Sequence, residues 1–189
     1  MPVWGWILIA ASVVVVAVLI AAISASRRKR TKRLQERFGP EYERTVSEAG
    51  DQRAAEKELA ARERKRGKLD IRPLSPRALE QYSIRWQTVQ TAFVDNPSNA
   101  VGDADRLVTE LMRERGYPVD DFEQQAADIS VDHPTVVENY RAAHGIHRSQ
   151  QNGDVGTERQ RQAFVHYRTL FEKLLETTTD NPTSQETSA

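Results

Sequence analysis

Residues 76–95 read PRALEQYSIRWQTVQTAFVD, and the spacing of their apolar side chains decides the fold class. Leu79, Tyr82, Trp86, Val89 and Phe93 recur every three or four positions, which on a helix makes one continuous stripe. Ser75 is a good N-cap, and Pro76 suits the first helical position, where its missing amide costs nothing. The stretch therefore predicts an amphipathic helix whose aromatic face is covered by other helices.

The same period continues towards the C-terminus. Asn96-Pro97 restarts the chain, and Ala100, Ala104, Leu107, Val108 and Leu111 form the next stripe, opposite Asp103, Arg106, Glu110 and Arg113. Gly116 closes that helix, with Pro118 beyond it. Asp120 and Glu123 have capping-box spacing for a short helix carrying Phe122, Ala126 and Ile129. A further helix is expected from near Asp132-His133-Pro134, with Val136, Val137, Tyr140 and Ala143 on one face. After the turn at Asn152-Gly153, Thr157 and Gln160 start a last helix that buries Phe164, Tyr167, Leu170, Phe171, Leu174 and Leu175. No segment shows strand alternation. The expected fold class is all-α: a small helical-bundle domain over 69–176 and a disordered tail over 177–189.

Upstream, LDIRPLSP at 69–76 reads as an extended connector that docks Leu69, Ile71 and Leu74 on the bundle. Residues 27–68 are expected to form a basic juxtamembrane segment and a helical stalk. Gly39-Pro40 breaks the helix there, and Glu41–Arg66 reads as a single, largely solvated helix. Tyr42, Val46 and Leu59 are too sparse along it to sustain heptads.

The N-terminal segment is of another kind. Val3 to Ile23 are interrupted only by Gly5 and Ser12, and twelve of them are Val, Ile or Leu. As a helix the run spans about 31 Å, the thickness of a bilayer's hydrocarbon core. It is too long for a signal-peptide core, and the positive charge follows it instead of preceding it, despite the small residues Ser24-Ala25-Ser26. The expected element is an uncleaved transmembrane anchor over 1–26. Trp4 and Trp6 would lie at one interface, and Arg27, Arg28, Lys29, Arg30, Lys32 and Arg33 at the other, against anionic headgroups. Basic residues mark the inner flank, so the N-terminus is expected outside and the bundle in the cytoplasm.

Lys+Arg and Asp+Glu each number 27, but they are unevenly placed. Residues 1–26 carry no charge and 27–33 carry six cations, whereas 69–176 hold twelve basic and seventeen acidic residues. A mildly acidic bundle argues against a nucleic-acid partner, which needs clustered Lys and Arg. With no cysteine there is no disulfide, thiolate site or cysteine nucleophile.

FGPEYERTV at 38–46, LDIRPL at 69–74 and VGDADRLVTELMRERGYPVDDFEQQAADISVDHPTVVENYRAAH at 101–144 resemble an abundant bacterial family of small single-pass membrane-anchored proteins without assigned function. The resemblance implies a bacterial plasma-membrane location and this architecture, and supplies no catalytic residues. Gly145 departs from the helix former expected at its position.

Motifs that carry chemistry do not occur: there is no phosphate loop, dinucleotide loop, nucleophile elbow, zinc-protease helix or calcium loop. Asp103 and Asp105 read as charged helix surface. Asp120, Asp121, Glu123, Asp128 and Asp132 cluster at a bend, where capping accounts for Asp120 and Asp132. His133, His144 and His147 fall on the side of Tyr140, and His144 with His147 could share a metal only if a third ligand came from elsewhere. Packing is the expected role of both, with no cofactor. The expected function is a protein-interaction or scaffold module with an unidentified protein partner. The alternative is an enzyme or ligand-binding domain with an inter-helix pocket near His144 and Tyr140.

Overall fold

A computed structural model describes residues 3–153 and 155–179, except the side chains of 3, 5–11, 13, 14, 17 and 177–179. Among the described residues every regular element is a helix: α1 Val3–Phe38, α2 Pro40–Ala49, α3 Gln52–Arg66, α4 Pro76–Asp95, α5 Pro97–Glu114, α6 Phe122–Asp132, α7 Val137–Gln151 and α8 Thr157–Thr179. The all-α expectation holds. Among the described residues no helix is long and apolar enough to cross a membrane. Most side chains of the apolar run, Trp6 included, lie outside those described residues, as does the tail from 180 onward.

The aromatic stripe of α4 builds the main core. Trp86 stacks on Phe164 and Phe171 of α8, at ring-centre distances of 5.2 and 4.6 Å. Ala104, Leu107, Val108 and Leu111 of α5 are fully or almost fully buried in the same cluster, as are Tyr167, Leu170, Phe171 and Leu174 of α8. Ser75 and Asn96 cap α4 and α5 by accepting from the amides of Ala78 and Asn99. The turn after α5 requires glycine. Gly116 has φ +95°, and a Cβ there would lie 2.3 Å from the Asp70 carbonyl oxygen. That contact seats the connector, whose Arg72 amide donates to the Arg115 carbonyl at 2.9 Å. Leu74 is buried, Ile71 packs at the edge of the cluster, and Leu69 stays outside it.

The expected solvated stalk is corrected. Glu41–Arg66 is two helices, because Gly50 ends α2 in the left-handed conformation (φ 66°) and Asp51 caps α3 by accepting from the Ala54 amide. Both helices fold back on the chain. Leu34 and Phe38 of α1, Tyr42 of α2 and Leu59 of α3 form a second core that Val131 of α6 completes. The apolar positions look sparse in sequence because one core is shared among four helices. Thr31 pairs with Glu56 and Arg37 with Glu63, at nearly the same sequence offset, so α3 runs beside α1 in the same direction.

Two capping assignments at the bend are also corrected. Asp121, not Asp120, caps α6 by accepting from the Gln124 amide. Asp132 is the last residue of α6, accepting from the Tyr117 hydroxyl at 2.6 Å and pairing with Arg66.

Candidate functional site

The histidines end up in three different settings. His133 caps the C-terminus of α6, not the α7 face, and is 3% exposed, with neither ring nitrogen hydrogen-bonded among the described residues. Burial pushes its ring down to about 4, and the neighbouring Arg115, Lys173 and Arg66 act the same way while Asp132 opposes them. His144 lies flat on Phe122 of α6, with ring centres 3.7 Å apart. His147 faces Gly102 of α5, and its Nε2 lies 3.2 Å from the Gln151 amide nitrogen.

Asp105 is the acidic neighbour of this region, and reading it as helix surface missed that. Its Oδ1 accepts from the Tyr167 hydroxyl at 2.7 Å and lies 3.7 Å from His144 Nδ1, too far for a hydrogen bond. Burial raises its carboxyl, but His144, the Tyr167 hydroxyl and His147 together hold it below the usual carboxylate range. Burial and the Asp105 charge raise the Tyr167 phenol far above its ordinary value. The Tyr167–Asp105 hydrogen bond thus joins α8 to α5, with the His144 ring of α7 alongside. Tyr140 is buried behind them and donates to Gln125 Oε1 at 2.6 Å. Among the described residues no three His, Asp or Glu side chains are grouped to hold a metal.

His144 does line an open groove of about 440 Å³, with Phe122, Arg44, Arg141 and Arg148, whereas Tyr140 does not reach it. Two of those arginines are already engaged, Arg44 with Glu48 and Glu138, and Arg141 with Glu41 and Glu123.

The densest charged constellation lies where the second core meets α6 and α7. Glu41 has no exposed surface, and its Oε1 takes Arg62 Nη1 at 2.8 Å and Arg141 Nη2 at 3.0 Å. Asp128, equally buried, pairs with Lys65 Nζ at 2.9 Å and accepts from the Gln124 side chain. These contacts fix α2 and α3 to the bundle. No spacing in the sequence could have linked Glu41 to Arg141.

The membrane-interface candidates all lie on α1. Trp4 is exposed, as are Val15, Val16, Val18, Leu19, Ile20 and Ile23. Arg27, Arg28, Lys29, Arg30 and Lys32 follow on exposed turns, and Arg33 pairs with Glu63 at 2.7 Å.

Comparison with known proteins finds no matching protein-family model, no matching curated protein and no matching solved structure.

Proposed function

We propose that this chain is a single-pass protein of a bacterial plasma membrane, with its N-terminus outside, that holds a cytoplasmic helical bundle rigidly below the bilayer as an interaction or scaffold module. The observation that carries this reading is α1. Its described apolar side chains find no covering protein, and it continues without a break through the basic turns to Leu34 and Phe38, both buried in the second core. Exposed apolar side chains in a row call for an apolar solvent, and lipid supplies one. The uninterrupted helix would then fix the bundle's height and orientation instead of leaving it on a flexible tether. The module reading is supported by how the polar side chains are used: Glu41, Asp105 and Asp128 each join helices.

A reporter fused after Ala189 tests the topology. It should report cytoplasm, and the chain should stay in the pellet after carbonate extraction. Replacing the six basic residues at 27–33 with Gln should mix the orientations, because the charge bias sets them. Export of the reporter fused to the wild-type chain would overturn the reading.

A second reading, a ligand-binding or catalytic site, is favoured by the groove beside His144, where Arg148 lines the wall without an ion pair among the described residues while Arg44 and Arg141 are met by Glu138 and Glu123. A thermal shift with small carboxylates or phosphates that vanishes in His144→Gln and Arg148→Gln would support it over the module.

A further inference from the structure

We propose that the groove between α1 and the first turns of α3 binds the phosphate headgroup of an anionic phospholipid. The inference rests on the anchored reading above and extends it from a diffuse basic flank to a formed site that includes α3.

The geometry comes from the fold-back. α2 returns the chain alongside α1, and α3 then runs parallel to α1 at an offset of 25 to 26 residues, as the Thr31–Glu56 and Arg30–Glu56 contacts show. Arg53 is thereby level with Arg27, and Lys57 with Thr31. Between them lies a groove of about 480 Å³ lined by Arg27, Arg30, Arg53 and Lys57, with Glu56 as its one carboxylate.

That carboxylate offsets only one of the groove's four cations. Its Oε1 accepts from the hydroxyls of Thr31 and Tyr42 and from the Gln52 side chain, and Arg30 reaches only the Glu56 backbone oxygen. Burial raises the Glu56 carboxyl, but these donors lower it by more, so it remains ionised and committed inward. Arg27, Arg53 and Lys57 have no carboxylate within ion-pair distance among the described residues. Four cations against one carboxylate around a single concavity form a receptor for a compact anion carrying several acceptor oxygens.

Depth selects the lipid as its source. Ile23 is exposed, and Arg27 lies about 6 Å further along the helix, within the headgroup layer beside a hydrocarbon core. A phospholipid seated there places its phosphate among the four cations and its acyl chains along the exposed Val16, Ile20 and Ile23. A free phosphate would use the charge alone.

The test uses the full chain reconstituted in vesicles of equal phosphatidylcholine and phosphatidylglycerol, solubilised gently and weighed by native mass spectrometry. Wild type should keep phosphatidylglycerol in preference to phosphatidylcholine. Arg53→Gln with Lys57→Gln should lower that retention by about tenfold or more, given what each surface cation contributes. Arg64→Gln with Lys68→Gln removes the same charge from the far end of α3 and beyond, and should retain the lipid. Equal loss in both variants, or none in either, would overturn the site. Displacement of the lipid by inorganic phosphate alone would overturn its assignment to lipid. Carbonate extraction of the same preparations separates the two readings: a chain released into the supernatant sinks the anchor itself, whereas an anchored chain indifferent to Arg53 and Lys57 sinks only the groove.

Discussion

Arg141 donates to Glu41 at 3.0 Å across a hundred positions of sequence, joining a fully buried carboxylate on α2 to α7. Arg62 of α3 shares the same oxygen at 2.8 Å. Breaking such a buried cluster from one side leaves its remaining charges uncompensated. Glu41→Ala should therefore destabilise the fold by about 3 kcal/mol, and Glu41→Gln by less, since it keeps the shape and one acceptor. Denaturant melts of Glu41→Gln, Arg141→Gln and the double variant should give a coupling of roughly 1–3 kcal/mol. Strict additivity would mean the pair contributes nothing as a pair.

Two glycines should respond in opposite directions. Gly116→Ala places a methyl against the Asp70 carbonyl in a left-handed backbone, so it should cost at least about 1–3 kcal/mol and loosen the connector. Gly145 lies within α7 with open space where its Cβ would be. Gly145→Ala should stabilise the protein by about 0.5–1 kcal/mol. Thermal melts of the two variants decide both expectations, and a destabilised Gly145→Ala would point to a backbone constraint absent from the helix as described.

The bundle was readable because each stripe from Leu79 to Leu174 sits within a single helix, where a period of 3.6 residues is visible. The second core was not, since Leu34, Phe38, Tyr42, Leu59 and Val131 come from four helices and no single window contains the pattern. One local signal was available: Gly50 followed by Asp51, a left-handed stop and an N-cap, marks the break between α2 and α3. Asp105 alternates with Asp103 and looks solvated, and only the tertiary approach of Tyr167, 62 residues away, gives it a buried partner. The groove at Arg27, Arg30, Arg53 and Lys57 was half legible: the basic run was visible, but its alignment with α3 depends on the fold-back.

Acid should weaken the fold through His133. Its folded value is depressed to about 4 from an ordinary 6.5, so the neutral ring is the form the fold prefers. Stability is then complete above pH 6.5, falls as the pH drops towards 4, and levels off below that, where both states are protonated. The linked loss is of order 2–4 kcal/mol. Asp132, Arg115, Lys173 and Arg66 are the charged groups that act on the ring, the first favouring its protonation and the other three opposing it. Urea melts at several pH values should show a steeper decline for wild type than for His133→Gln. Parallel profiles would mean that the ring finds a proton partner in the folded state.

The docking of α2 and α3 sets where the folding unit begins. A fragment of residues 69–176 retains Trp86, Phe164, Phe171 and the whole main core, so it should remain helical. It loses Lys65 and Arg66, the partners of Asp128 and Asp132, and strips Leu34, Phe38, Tyr42 and Leu59 from Val131. α6 would then present two carboxylates without their cations, held only by the Tyr117 hydroxyl and the Gln124 side chain, and an uncovered valine. A fragment of residues 27–176 keeps all of these contacts and should melt at a higher temperature in one cooperative transition. Hydrogen exchange locates the difference: in the shorter fragment the α6 amides should lose protection while those of α4, α5 and α8 largely keep theirs. Equal protection of α6 in both fragments would mean that the bundle carries α6 unaided and that the second core is only an attachment.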